Sequence, residues 1–332
     1  MRSAILIVRL GSLGDLIHTL PAFAALRRAR PDARIDWLVE PPHKEILTMV
    51  KGLSEVVVLK GRSVSGWFDT IGELRQREYQ LALDFQGLMK SATLARLSGA
   101  SEVVGFDSKS LREPAARLFY SRSVAADDHG HVIRKNLSLV SDVLDVRVTD
   151  LEFPVRDVRS GVLDDLRGRG LREFAIVNPG AAWPNKRWPA ERFGAIAKDL
   201  RDVHGLTPVV LWGPGERMLA ETVVAASDGR AVIAAETRLH DLVALSRAAS
   251  LMISGDTGPL HIACAAGTPT VALFGPTDAV RNGPWSSRDV VLSRYETCAC
   301  HYKRQCQQPH SWCLPDIGVE DVRAAIRKRL TP

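Results

Sequence analysis

The sequence predicts an α/β protein of two halves, each a parallel sheet covered by helices, and three observations carry this prediction. Short apolar runs alternate with helical patterns along the whole chain. A glycine loop at residues 11–14 follows the first apolar run, and a second glycine turn at residues 254–261 follows a later one. Strands joined by helices are parallel, and glycine turns between strand and helix are typical of nucleotide-binding sheets. We therefore expect two Rossmann-like halves that face one cleft.

The length and composition fit two domains. A chain of 332 residues is about twice a typical domain. With 45% hydrophobic and 25% charged residues, it can bury a core in each half. Residues 145–158 carry charges, a proline and no clear period, so we place the linker there. The expected parts are residues 1–150, residues 151–317, and a C-terminal helix within residues 318–332 that packs across the domain junction.

The individual elements follow from the periodicity of apolar residues. In the first half, strands are expected at residues 4–8, 35–39, 56–59, 81–84 and 103–105, and helices at 15–29, 90–97 and 132–144. In the second half, strands are expected at 175–177, 208–212, 251–254 and 270–274, and helices at 191–201, 217–225, 239–249, 260–266 and 319–330. The strand runs are nearly all apolar because a parallel sheet is buried on both faces.

Charge and hydropathy limit the classes of function. The first apolar run has five residues, too short for the core of a signal peptide, and no run approaches 18 apolar residues. We therefore expect a cytoplasmic protein that does not span a membrane. The net charge of +6 favours an anionic partner: nucleic acid, a phosphorylated small molecule or an acidic membrane surface. Because no basic stripe is interleaved with aromatic residues, we expect no nucleic acid.

The turn at residues 254–261 is the predicted phosphate site. Gly258 lets the backbone approach a ligand, and the free N–H groups of the opening helical turn attract an anion. Thr257 is expected to contact phosphate oxygens through its hydroxyl, and Thr257 and Gly258 through their N–H groups. A carboxylate would repel a diphosphate, so Asp256 is interpreted as a cap or an organiser of the turn. His261 adds a hydrogen bond or simply packs.

Asp15 is the predicted chemical group of the first half. It follows Gly14 at the start of a helix, where the helix dipole favours an ionised carboxylate. Such a carboxylate can act as a general base, but an ordinary N-cap explains an Asp there equally well. His18 lies one turn further along the helix and can face the same cleft.

Two further candidates follow strand ends of the second half. Lys186 and Arg187 can neutralise a phosphate, although a Lys-Arg pair is more commonly a solvated surface pair. Glu216 is placed to accept hydrogen bonds from ribose hydroxyls or, alternatively, to favour a helix dipole. The chain has no Asp-X-Asp triplet, so a divalent ion on a nucleotide diphosphate has no obvious carboxylate ligands. Basic side chains and helix termini then have to neutralise the charge on a leaving group.

Four cysteines crowd into sixteen residues: Cys298, Cys300, Cys306 and Cys313. Such a cluster can bind zinc or iron. A Cys-X-Cys opening is less usual than Cys-X-X-Cys, and reduced packing cysteines are the alternative.

Taken together, these segments resemble a known enzyme family. Residues 9–22, 178–189 and 254–278, in this order, are similar to the ADP-heptose glycosyltransferases of lipopolysaccharide core assembly, glycosyltransferase family 9. Residues 84–91 and 112–120 look most like the heptosyltransferase I branch, which adds the first heptose to Kdo-lipid A. The resemblance spans nearly the whole chain.

The resemblance implies a GT-B fold and an inverting transfer that requires no metal cofactor. It implies that Asp15 takes the proton from the acceptor hydroxyl, and that the first half binds the acceptor and the second half the nucleotide sugar. The implied donor site consists of Lys186, Glu216, Asp256, Thr257, Gly258 and His261. The implied acceptor site consists of Arg112 and His131, with Arg62 as a further candidate. His18 is added to this site because it lies one helical turn from Asp15. The implied partners are ADP-heptose, Kdo-lipid A and the anionic inner-membrane surface, and we expect a monomer on the cytoplasmic face of that membrane.

Two departures keep alternatives open. Ala181 and Ala182 stand where family members can present hydroxyls, so phosphate contacts there would come from backbone N–H groups. The cysteine-rich segment also differs from simpler members, which leaves open a relative that glycosylates protein. A transferase acting on the second heptose position is another alternative. The least favoured one is a non-catalytic protein that binds nucleotides or nucleic acid.

Overall fold

The computed structural model describes residues 3–61, 63–126, 130–306 and 313–331. The chain divides into two compact units, Met1–Arg156 and Asp157–Pro332. Each unit contains a six-stranded parallel sheet with helices, so the predicted α/β class is confirmed.

The sheet of the first unit has the order β3-β2-β1-β4-β5-β6. Its strands are β1 (Ala4–Val8), β2 (Arg34–Val39), β3 (Glu55–Val58), β4 (Leu81–Asp84), β5 (Glu102–Phe106) and β6 (Arg122–Val124). Its helices are α1 (Leu13–Ala29), α2 (Lys44–Thr48), α3 (Val64–Arg75), α4 (Met89–Leu97) and α5 (Val132–Leu144). Short 3-10 segments lie at Pro41–His43, Ser108–Ser110 and Pro114–Phe119. β1 is central and fully buried because strands flank it on both sides and helices cover the sheet.

The sheet of the second unit has the order β12-β11-β10-β7-β8-β9. Its strands are β7 (Phe174–Asn178), β8 (Thr207–Val210), β9 (Val232–Ile233), β10 (Leu251–Gly255), β11 (Thr270–Phe274) and β12 (Val290–Ser293). Its helices are α6 (Gly161–Gly168), α7 (Ala190–Asp202), α8 (Arg217–Ala226), α9 (Leu239–Ala248), α10 (Gly258–Ala266), α11 (Ala279–Asn282) and α12 (Val319–Leu330). A 3-10 turn covers Pro184–Lys186.

Strand order decides which loops meet. In the first unit β1 pairs with β2 and β4, and in the second unit β10 pairs with β7 and β11. The strands are parallel, so the loops that follow them lie at one edge of each sheet. The glycine loop after β1 and the turn after β10 therefore each lie at the centre of such an edge.

Every predicted strand is present, with ends shifted by at most two residues, but several elements were missed. They are the edge strands β6, β9 and β12 and the helices α2, α3, α6 and α11. The final helix, α12, packs on α7, β11 and β12 within the second unit. In the described ranges, no helix combines the length and apolar character needed to cross a bilayer.

Candidate active site

The first glycine loop places Asp15 in the first turn of α1. Ser12 is the N-cap residue, and both its backbone N and its Oγ donate to Asp15 Oδ2, at 3.0 and 3.2 Å. Asp15 is therefore the third helical residue of a capping box, not the N-cap itself. Its other carboxylate oxygen, Oδ1, lies 2.6 Å from Arg9 Nη2. The side chain keeps 35% of its surface exposed, so it is held in place while remaining accessible.

The surroundings of Asp15 favour its ionised form. Burial alone would raise the pKa of this carboxyl, but the Arg9 guanidinium and the two Ser12 hydrogen bonds outweigh it and hold the pKa below its ordinary value. Asp15 is thus a carboxylate at neutral pH. The N-cap alternative for Asp15 is wrong, because Ser12 occupies that position. The general-base role is compatible with this geometry.

Arg9 is a residue whose importance the sequence did not reveal. It is buried at the end of β1, and besides the ion pair with Asp15 it donates to the backbone oxygen of Phe85. Gln86 Oε1 accepts from Leu10 N at 2.7 Å. The loop after β4 therefore clamps the glycine loop after β1 from the neighbouring strand.

Asp84 organises this clamp. It is completely buried, and its Oδ1 accepts from the N–H groups of Gln86 and Gly87, at 2.9 and 3.2 Å. Its Oδ2 accepts from Ser91 Oγ at 2.8 Å and Tyr120 OH at 2.7 Å. Burial raises the pKa of Asp84 despite these donors.

A second group that the sequence did not single out is His43. A Cβ placed on Gly11 would come within 2.8 Å of His43 Nε2, so the ring lies directly against the glycine loop. Burial lowers the pKa of His43, and the nearby carboxylates of Glu40 and Asp15 offset part of that effect. His43 is therefore a neutral imidazole beside Asp15 at neutral pH.

The predicted acceptor residues fall into different environments. Arg112 is exposed in the loop after β5. His131 caps α5 through Nδ1, which accepts from Ile133 N at 3.1 Å. His18 is only 2% exposed and lies edge-on to the His131 ring, with centroids 5.3 Å apart. The expectation that His18 faces an open cleft is therefore wrong: it is packed where α1 meets α5. Arg62 lies outside the described residues.

The turn after β10 forms the second candidate centre. Thr257 is the N-cap residue of α10, and Asp256 is not a cap. Thr257 Oγ1 accepts from Asn178 Nδ2 at 3.1 Å and lies 3.1 Å from Ser254 Oγ. Asn178 thus ties the end of β7 to the start of α10. The first-turn N–H groups of α10, from Gly258 onward, have no partner inside the helix and present partial positive charge.

Asp256 connects three loops around this turn. Its Oδ2 lies 2.6 Å from Lys186 Nζ and accepts from Thr277 Oγ1 at 2.7 Å, and its Oδ1 lies 3.2 Å from His261 Nε2. Burial would raise the pKa of Asp256, but His261 and Lys186 outweigh it and hold the pKa far below its ordinary value. The interpretation of Asp256 as an organiser of the turn agrees with this arrangement, and the alternative of a cap is wrong.

Two contacts fix the position of the Lys186 ammonium group. Its Nζ lies 4.6 Å from the centre of the Trp183 ring, a cation–π contact, besides its ion pair with Asp256. A Cβ on Gly255 would come within 2.7 Å of the Lys186 carbonyl oxygen, so the absence of a side chain there lets the two loops meet. Lys186 is therefore not the solvated surface lysine of the alternative interpretation. Its neighbour Arg187 pairs with Glu216, Nη2 to Oε1, at 3.3 Å.

Glu216 is fixed by backbone as well as by Arg187. Gly213 N donates to its Oε2 at 3.1 Å, and a Cβ on Gly180 would come within 2.0 Å of the same oxygen. Because α8 begins at Arg217, Glu216 precedes the helix instead of lying in its first turn. Its carboxylate lies between the loops after β7 and β8, with 16% of the side chain exposed.

The four clustered cysteines converge in the second unit, and Cys264 lies apart in α10. Cys300 Sγ lies 3.1 Å from Cys306 Sγ, and Cys298 accepts from Cys300 N at 3.3 Å. Burial, with Cys298 adjacent, raises the pKa of Cys313 to about 11, which keeps that thiol protonated. Across the described ranges, no group of three or more His, Cys, Asp or Glu side chains is arranged to hold a metal ion. The structure thus gives the zinc or iron alternative no support among these residues.

The cysteine segment contacts the loops that carry Lys186 and Thr277. Lys303 O accepts from Asn185 Nδ2 at 2.8 Å, and Tyr302 N donates to Pro276 O at 2.9 Å. A Cβ on Gly275 would come within 3.2 Å of Cys313 Sγ. The segment therefore packs against the two loops whose residues Lys186 and Thr277 contact Asp256.

Comparison with known proteins decides the family. The family model described as glycosyltransferase family 9 (heptosyltransferase) matches residues 67–311. The chain is 30% identical over 313 residues to lipopolysaccharide heptosyltransferase 1 of Pseudomonas aeruginosa, covering 91% of this chain and 87% of that protein. The chain belongs to glycosyltransferase family 9.

Solved structures of similar fold agree with this assignment. A family 9 glycosyltransferase from Veillonella parvula superimposes with a TM-score of 0.83 at 24% identity, covering 99% of this chain and 97% of the other. The E. coli heptosyltransferase WaaC, solved with ADP-2-deoxy-2-fluoro heptose, gives a TM-score of 0.77 at 24% identity, covering 98% and 99%. The predicted GT-B class is confirmed, and the chain is a glycosyltransferase of the heptosyltransferase family.

Proposed function

We propose that this family 9 enzyme transfers L-glycero-D-manno-heptose from ADP-heptose to Kdo of a lipid A precursor, with inversion at the anomeric carbon. The relatives named heptosyltransferase 1 support the first-heptose position, and the WaaC structure holds an analogue of ADP-heptose. The observation that carries the proposal is the ionised, accessible Asp15 in the first glycine loop, because inverting transfer needs a base for the acceptor hydroxyl.

Asp15 acts as that base. One carboxylate oxygen takes the proton of the acceptor hydroxyl as the hydroxyl oxygen bonds to the anomeric carbon of heptose. The bond from that carbon to the phosphate oxygen breaks on the opposite face, and ADP leaves. Arg9 and Ser12 hold the carboxylate in one orientation, so little entropy is lost when the acceptor arrives.

Lys186, Thr257 and the N-terminus of α10 bind the diphosphate. The ammonium group and the N–H groups of Thr257 and Gly258 stabilise the charge that develops on the leaving phosphate. Asp256 and His261 contribute indirectly, since Asp256 fixes the Lys186 ammonium group and His261 fixes Asp256. Glu216 accepts hydrogen bonds from the ribose hydroxyls. No metal cofactor is required, because these groups supply the positive charge.

The acceptor side belongs to the first domain. Arg112 and His131 bind the anionic Kdo, with Arg62 as a further candidate, and His18 supports His131 from the α1–α5 interface. In this proposal residues 1–150 bind the acceptor, residues 151–317 bind the nucleotide sugar, and the helix within residues 318–332 packs across the junction. The enzyme acts as a monomer on the cytoplasmic face of the inner membrane, and nucleic acid is not a partner.

Acceptor labelling tests this function. Purified protein is incubated with radioactive ADP-heptose in three separate reactions. The first contains Kdo-lipid A, the second its singly heptosylated product, and the third a protein acceptor. We expect label in Kdo-lipid A and a tenfold or greater preference over the heptosylated product. Label only in the heptosylated product or in protein would move the assignment to another acceptor. Duplex DNA binding without transfer would make the protein a non-catalytic binder.

A structural zinc or iron ion at Cys298, Cys300, Cys306 and Cys313 stays a prediction of the sequence. Elemental analysis of the purified chain, with a quadruple Cys→Ser variant as the control, tests it. Transfer in the presence of a strong chelator separates this question from catalysis, since we expect turnover to be unchanged.

A further inference from the structure

His43 is a polar side chain beside the first glycine loop that neither the base nor the donor site explains. It follows β2, which pairs with β1, so its loop lies at the same edge of the sheet as the Asp15 loop. The half-buried ring lies against Gly11: a Cβ placed there would come within 2.8 Å of His43 Nε2 and 2.9 Å of Cδ2. The ring therefore covers one side of the loop that leads to Asp15.

Both nitrogens of the His43 ring are available to a ligand. Neither forms a hydrogen bond with a protein group in the described ranges, and neither is closed off from solvent. Most half-buried polar groups of a folded protein have a partner. The neutral ring offers one donor and one acceptor, so it can bind a group that accepts one hydrogen bond and donates another.

The backbone holds His43 in place before any ligand arrives. Glu40 N donates to Leu10 O at 3.0 Å, and His43 N donates to Glu40 O at 3.0 Å. Pro41 and Pro42 stand between them, and each proline ring fixes its own φ angle. A ligand that binds the imidazole therefore does not have to order this segment.

The His43 ring and the Asp15 carboxylate adjoin the same peptide unit. Ser12 N, which is bonded to the Gly11 carbonyl carbon, donates to Asp15 Oδ2 at 3.0 Å, while the ring lies against Gly11. The negative charge of Asp15 also acts on the imidazole, since it raises the pKa of His43 in opposition to burial. An alcohol whose hydroxyl reaches the accessible Asp15 carboxylate therefore passes beside His43.

The chemistry of the ring favours a sugar hydroxyl over an anion. A hydroxyl both donates and accepts, so it can use either nitrogen of a neutral imidazole. A carboxylate or phosphate group only accepts, and would be bound better by a cation. A sugar acceptor carries further hydroxyls beside the one that reacts, which is the ligand chemistry that His43 fits.

We propose that His43 binds the acceptor sugar through a hydroxyl next to the one from which Asp15 takes the proton, and so helps to select the hydroxyl that reacts. This inference rests on the proposed function for the role of Asp15. It does not depend on which sugar the acceptor carries, so the two can fail separately.

Steady-state kinetics with ADP-heptose and water-soluble, deacylated Kdo-lipid A test the proposal. H43F keeps a ring against Gly11 but removes both nitrogens. We expect its KM for the acceptor to rise about three- to tenfold, as for the loss of one hydrogen bond, while its KM for ADP-heptose stays within twofold. H43Q, whose amide donates and accepts, should recover most of the loss. The matched control is H204F, at the half-buried His204 between α7 and β8, and it should behave like wild type.

A variant of Gly11 tests the same contact from the other side. In G11A the new methyl group would meet His43 Nε2, so the ring must turn away. We expect G11A to raise the acceptor KM about as much as H43F, and G11A/H43A to differ little from H43A. A large further loss in G11A/H43A would assign the effect to the loop itself and contradict the proposal.

The remaining outcomes separate this proposal from the proposed function. Equal acceptor KM values in H43F and wild type overturn the role of His43 alone. An equal rise in both KM values, or a fall in kcat alone, also overturns it, because the ring would then only support the loop. If the heptosylated product proves to be the acceptor, a higher KM for it in H43F supports His43 while the proposed acceptor is wrong. If no sugar is transferred, calorimetry with deacylated Kdo-lipid A decides: weaker binding by H43F than by wild type supports His43, and no binding by wild type overturns both.

Discussion

Arg9 and Asp15 form an ion pair in which Arg9 Nη2 lies 2.6 Å from Asp15 Oδ1. Arg9 directly follows the central strand β1, and Asp15 lies in the first turn of the following helix, so the strand–loop–helix unit itself positions the base. The ion pair also lowers the pKa of Asp15. A carboxylate with a lowered pKa is a weaker base, but it is fully deprotonated at neutral pH.

Replacing Arg9 should change the pH dependence of turnover. Arg9 lowers the pKa of Asp15, so in R9Q the pKa rises and a smaller fraction of Asp15 is deprotonated at mildly acidic pH. The acid limb of the kcat–pH profile should therefore move to higher pH by about one unit. R9K, which keeps the charge, is the control and should move the limb much less. An unchanged limb in a folded R9Q protein would show that Arg9 does not tune the base.

Replacing Lys186 should weaken nucleotide binding. We expect K186A to bind ADP about 10–100-fold more weakly in calorimetry, because charge-assisted hydrogen bonds to the diphosphate are lost. K198A is the matched control: Lys198 lies on α7 and pairs with Asp228 at 2.5 Å on the surface. The same affinity for ADP in K186A and K198A would remove Lys186 from the donor site.

Gly180 should be as important for ADP binding as Glu216 itself. In G180A the new methyl group would overlap Glu216 Oε2, so the flexible side chain must leave Gly213 N and Arg187. We expect about a tenfold loss of ADP affinity in G180A and in E216A, and little further loss in the double variant. G161A is the control, since a Cβ there meets nothing within 4 Å. Fully additive losses would indicate that Gly180 acts independently of Glu216.

The Asp84 network should contribute to stability. Y120F removes a 2.7 Å hydrogen bond to a buried carboxyl, which should cost about 1–3 kcal/mol, measured by denaturant unfolding. Because Tyr120 lowers the pKa of Asp84, its removal raises that pKa further, and the loss should be larger at pH 7 than at pH 4. Y295F, which keeps the ring that stacks on His301 at 4.0 Å, is the control and should change stability by less than about 0.5 kcal/mol. Equal stability of Y120F and wild type at both pH values would contradict this role.

The central strands and both glycine turns were predictable from the sequence, because buried parallel strands read as apolar runs and glycine turns are local. The edge strands were not. β9 has two residues and β6 has three, too few for a period to be seen, and β12 depends on pairing with β11. Helix α3 begins Val-Ser-Gly-Trp-Phe, a poor helical sequence that tertiary packing overrides.

The local geometry of the candidate site was predictable where it depends on neighbours in sequence, as for Asp15 and the turn before α10. Contacts across long stretches of chain were not. Arg9 meets Phe85 across 76 residues, and Asp256 meets Lys186 across 70. His18 was misplaced for the opposite reason: helical spacing gives its angle relative to Asp15, but the packing of α5 decides that the ring is buried.

The most direct test of the account compares turnover and ADP affinity in one variant, D15N, which keeps the size of the side chain. With ADP-heptose and Kdo-lipid A, the account predicts turnover about 10²–10⁴-fold below wild type, or about 3–5 kcal/mol of barrier, with ADP affinity unchanged within twofold. Near-normal turnover in D15N would contradict the assignment of Asp15 as the base.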